Sequence, residues 1–68
     1  MESIIVPIQE IESEAEYVIY SEQLGVLSEH CTESEARMAF YKQAAARALG
    51  ERLPVIFARQ EPHWVALN

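Results

Sequence analysis

The sequence predicts a small α+β domain in which an antiparallel sheet packs on one α-helix in the order ββαββ, with an optional extra strand at the N-terminus. Three observations carry it. Residues 32–53, TESEARMAFYKQAAARALGERL, have the composition and end signals of a helix. Two stretches rich in β-branched and aromatic residues precede it, and two follow. The chain of 68 residues has room for one domain, 1–68.

Residues 3–8, SIIVPI, favour extended structure, but Pro7 cannot donate to a central ladder, so 1–9 reads as an edge strand or a flexible arm. Glu10, Glu12, Glu14 and Glu16 then alternate with Ile11, Ser13 and Ala15. In extended backbone that spacing sets four carboxylates on one face at roughly 6.5 Å intervals, whereas a helix scatters them. Residues 15–21 and 25–30 read as a β-hairpin, with Tyr17-Val18-Ile19-Tyr20 as its strongest strand segment. Ile8, Ile11, Ala15, Val18 and Ile19 also fit a helical face, which gives a competing architecture: a mainly helical hairpin followed by a C-terminal β-hairpin. Leu24-Gly25, Tyr41 and Ala44 fall at tetratricopeptide spacing, but Ser21 and Arg37 break that pattern, and a single repeat cannot bury its own core.

Thr32 is a good N-cap, and Glu35 three residues on completes a capping box. Glu33 and Glu35 at the front, and Arg47 and Arg52 at the back, complement the helix dipole. Met38, Tyr41, Ala45, Ala48, Leu49 and the pair Arg52-Leu53 form a helical stripe, widened by Phe40 and Ala44. Gly50 marks a point where the last turn can fray, and Pro54 stops the helix. Residues 55–58, VIFA, read as a compact strand, 60–63 as a turn around Pro62, and 64–67, WVAL, as the returning strand.

Charge is segregated. All eleven acids are glutamate, and nine of them precede position 36 with no lysine or arginine among them, while all five bases follow. The net charge is −6. Such a chain is not drawn as a whole to nucleic-acid phosphate, so direct nucleic-acid binding is disfavoured. A basic protein surface suits it better. Arg37, Lys42, Arg47 and Arg52 recur every five residues, which winds them around a helix instead of aligning them on one face. Glu33 and Arg37 form a favourable i,i+4 pair.

Reactive clusters are sparse. His30, Cys31 and His63 lack the paired short spacings of a zinc site, so no metal or other cofactor is expected. Cys31 precedes a helix N-terminus, where a thiol is activated, but a chain of this size offers little room for a substrate pocket. No glycine-rich phosphate loop is present among Gly25 and Gly50. The expectation is therefore a non-enzyme. No apolar run approaches a membrane span, and no basic stretch precedes the short apolar patch at the start, so the expected setting is cytoplasmic with no membrane association.

A single cysteine excludes an intramolecular disulfide, and a domain this small usually gains stability from a partner. The sequence therefore points to a protein-protein interaction module that covers a basic or apolar surface of a larger protein. Its sharper form is an inhibitor or adaptor, of the kind small mobile-element or phage proteins use, whose glutamate row mimics nucleic acid. Glu10, Glu12, Glu14, Glu16 and Trp64 are the candidate partner-binding residues, Trp64 as a half-exposed aromatic anchor and otherwise, with the remaining aromatics, as core. Two alternatives stand beside it: a structural or regulatory subunit acting through homo-oligomer assembly, a homodimer in the simplest case, and nucleic-acid binding through the basic second half.

Overall fold

A computed structural model describes residues 4–47 and 52–68. The element order is β1 (Ile5–Pro7), a 3-10 turn (Ile8–Glu10), β2 (Tyr17–Ser21), β3 (Gly25–His30), α1 (Glu33–Ala45), β4 (Val55–Gln60) and β5 (His63–Ala66). The five strands form one antiparallel sheet in the order β1-β5-β4-β2-β3. This is the ββαββ arrangement with the extra N-terminal strand, and the mainly helical alternative is not adopted. β-branched and aromatic residues in β2 and β4 outweigh the helical periodicity that Ile8, Ile11 and Ala15 supply, because their pairing buries both faces of the central strands.

The two inner strands divide their side chains between two apolar clusters. Ile19 and Ile56 point to the helix and pack with Ala36, joined by Tyr17, Leu27, Ala39, Phe40 and Leu67. Val18, Phe57 and Trp64 point the other way and meet Ile11. The helix packs on β2, β3 and β4, while the connection over residues 8–16 crosses the opposite face.

Each joint has a local cause. Ser21 and Gly25 pair at the end of the first hairpin, the Ser21 hydroxyl accepts from the amides of Gln23 and Leu24, and Gly25 takes a φ of 81°, a left-handed value that glycine adopts without strain. A register shift between Ile19 and Tyr20 bulges β3 at Leu27. Gln60 pairs with His63 across a turn whose Glu61–Pro62 peptide bond is cis. Beyond β5, Asn68 continues the ladder with its side chain, accepting from the Ile56 amide at 2.9 Å and donating to the Pro54 carbonyl at 3.2 Å.

The helix departs from expectation at its end and in its orientation. Thr32 caps it as expected, its hydroxyl accepting from the Glu35 amide at 3.2 Å. It closes at Ala45, with Ala46 as C-cap, and Arg52-Leu53 is not helical; Gly50 lies outside the described residues. The side that meets the sheet is Ala36, Ala39 and Phe40, whereas Met38 and Tyr41 are 69% and 65% exposed. Alanines at 36 and 39 let the backbone approach the sheet closely, which a stripe built on Met38 and Tyr41 prevents.

Candidate functional site

The candidate site is the acidic connection on the face opposite the helix. Its backbone is anchored at several points. Ile8 donates its amide to the Pro62 carbonyl at 2.9 Å, and the Ile8 carbonyl accepts from the Trp64 indole at 3.0 Å. Ile11 is buried against Val18, Phe57 and Trp64. At the far end the Arg59 amide donates to the Glu16 carbonyl at 2.8 Å, which extends the β2–β4 ladder by one bond.

Arg59 is the central fastener. Its guanidinium lies over the Trp64 ring, 4.7 Å from the centroid, and donates to the main-chain carbonyls of Ala15, at 3.0 Å, and Ser13. A third contact, at 3.1 Å, goes to the Glu61 carboxylate. The cation therefore holds the connection by its backbone and pairs with none of the glutamates on it. Ser13 adds a hydrogen bond from its hydroxyl to Glu29 on β3.

The four glutamates consequently project outward. Glu10, Glu12, Glu14 and Glu16 are all exposed, while Ile11 is buried and Ser13 and Ala15 are partly so. This is the alternation of burial the sequence implies, but not a regular extended row: Glu10 ends the 3-10 turn and the backbone bends at Ala15 and Glu16. Among the described residues, none of the four forms an ion pair. Arg37, Arg52 and Arg59 pair instead with Glu33, Glu22 and Glu61. The Arg37 guanidinium is held above its ordinary range, first by the hydrogen bond it donates to the Glu33 carboxylate and then by the charge of that carboxylate.

Trp64 does not belong to this surface. Its side chain is fully buried, wedged beneath Arg59 and bonded to the Ile8 carbonyl, so the expectation of a half-exposed anchor for a partner is corrected. Its register on β5, opposite Val6 and Arg59, turns the indole to the face where Ile11 packs, and there it supports the acidic connection. The residue the sequence did not single out is Arg59. The only signal for it was a cation inside an otherwise apolar strand.

The remaining polar residues do not gather into a reactive centre. His30 bonds Ser28 at 2.8 Å on β3, and His63 lies three strands away on β5, roughly 14 Å at the usual strand spacing. Cys31 is a free, exposed thiol. Among the described residues, no group of three or more histidine, cysteine or acidic side chains is placed to hold a metal ion, and no helix is long and apolar enough to cross a membrane. A cavity of about 350 Å³ occupies the part of the non-helix face that the connection leaves open, with Val6, Tyr20, Val55 and Phe57 at its floor. The Arg52–Glu22 ion pair, 2.7 Å long, stands at its rim.

No protein-family model, curated protein or solved structure matches the chain, so the functional reading rests on this geometry.

Proposed function

We propose that this protein is a non-enzymatic interaction module whose acidic connection covers a basic surface on a larger protein, acting as an inhibitor or adaptor. The observation that carries the reading is the Arg59 clamp. By holding the carbonyls of Ser13 and Ala15, it fixes the connection while leaving Glu10, Glu12, Glu14 and Glu16 without a cationic partner among the described residues. A row of carboxylates already ordered before contact loses less conformational freedom on binding than a flexible acidic tail does. Electrostatic complementarity of this kind sets partner choice and encounter rate. A cytoplasmic setting belongs to the same reading.

A decaarginine peptide serves as the probe, titrated calorimetrically at about 20 mM and about 150 mM salt, ionic strengths at which screening differs strongly. The Glu12→Lys/Glu14→Lys variant is compared with Glu22→Lys/Glu33→Lys, which changes net charge equally at acids paired with Arg52 and Arg37, away from the Arg59 clamp. The first is expected to weaken binding about tenfold more than the second and to flatten the salt dependence. Equal losses in both variants assign the affinity to bulk charge and remove the acidic row from the mechanism.

A second reading, assembly between copies of this chain, is favoured by a separate observation: the exposed Met38 and Tyr41 beside the free edge of β3.

A further inference from the structure

We infer that the β3 edge and the adjoining flank of α1 form a two-fold interface with a second copy of this chain. The inference deepens the assembly reading and rests on it. The sheet has two edges, and they are built differently. β1 is three residues long and ends in Pro7, features that blunt an edge. β3 is six residues long, Gly-Val-Leu-Ser-Glu-His, with no proline or lysine. Among the described residues, one glutamate and the bulge at Leu27 are what protects it.

Above that edge the helix presents a flank lined by Glu35, Met38, Tyr41, Lys42 and Ala45, facing His30 of β3. Met38 and Tyr41 are large, apolar and exposed, the side of the helix that the sheet does not use. Glu35 and Lys42 are seven residues apart, two helical turns, so they lie on the same flank but about 10.5 Å from each other. Among the described residues neither forms an ion pair. A flank with an acid at one end and a base at the other is complementary to itself when reversed. An antiparallel copy brings each Lys42 to the partner copy's acid, twice by symmetry.

The sheet geometry sets the same arrangement. Antiparallel pairing of β3 with its own copy, about an axis perpendicular to the sheet, leaves both helices on one face of a continuous ten-stranded sheet. Because α1 is centred over β2, with β3 and β4 on either side, the two helices stand three strand spacings apart, about 14 Å. Close-packed helices are about 8–10 Å apart, so the gap needs long side chains from both partners. Met38 and Tyr41 supply them. A register centred between Leu27 and Ser28 sets Glu29 opposite Val26 and avoids opposing like charges.

Sedimentation equilibrium on the full chain from about 1 to 200 μM tests the interface, with circular dichroism confirming that each variant is folded. A dimer is expected. Lys42→Glu and Glu35→Lys should each weaken it about tenfold or more, and the double variant should recover most of the loss, because the two side chains are too distant to pair within one chain. Tyr41→Glu, at an exposed position, should yield a folded monomer. A native chain that is monomeric throughout the range overturns both the interface and the assembly reading. A dimer that is insensitive to all three single variants overturns the interface alone and places assembly on another face.

Discussion

Trp64 shows how one side chain joins the two halves of the molecule. It lies on β5, near the C-terminus, yet its indole donates to the carbonyl of Ile8 and its ring carries the Arg59 guanidinium. Replacing it with phenylalanine keeps most of the apolar volume and removes the N–H. The Ile8 carbonyl then loses its partner, at a cost of about 1–3 kcal/mol. In a domain of this size each kcal/mol corresponds to roughly 4–8 °C in Tm. Urea titration of Trp64→Phe should therefore show a lower midpoint with an unchanged slope, and an unchanged midpoint would mean the bond contributes nothing. The sequence alone left this residue between core and surface anchor. An aromatic after a proline turn suits either role, and only the path of residues 8–16 across the non-helix face decides between them.

At the scale of elements, the acidic connection depends on the planar fork of Arg59. Lysine preserves the charge but cannot reach two carbonyls and a carboxylate in one plane while stacking on the indole. Arg59→Lys is expected to speed amide exchange across residues 12–16 while leaving β2 and β4 protected, since the ladder itself is backbone to backbone. Unchanged exchange in residues 12–16 would show that Ile11 and the Glu16–Arg59 backbone bond suffice. Strand and helix order was legible because residues 17–20 and 55–58 carry strong β-branched and aromatic signals and Thr32 with Glu35 marks the helix start. The helix face was not. Apolar residues at 36, 38, 39, 40 and 41 surround much of the helix axis, so periodicity picks no single side. Close packing does, by placing Ala36 and Ala39 against the sheet and leaving Met38 and Tyr41 outside. The glutamate row was visible as a pattern, but the clamp that leaves it unpaired was not, because Arg59 and Ser13 are 46 residues apart.

For the whole molecule, the two surfaces point in opposite directions. Residues 8–16 cross the face away from the helix, and the two-fold axis proposed at β3 would leave both helices on the other face. Such pairing would set both glutamate rows on one side of the extended sheet and double the acidic surface offered to the proposed basic partner, without bringing either row into the interface. Assembly then also supplies burial that a 68-residue chain lacks alone. A dimer of this kind makes thermal stability depend on concentration. At about 0.7 kcal/mol per residue, unfolding a dimer absorbs roughly 95 kcal/mol, and mass action then raises Tm by about 5 °C for each tenfold increase in protein. Scanning calorimetry of the native chain across two decades of concentration should follow that slope, and Tyr41→Glu should melt lower at a temperature independent of concentration. A native Tm that does not move with concentration would detach folding from assembly, and the acidic face would then act from a single chain.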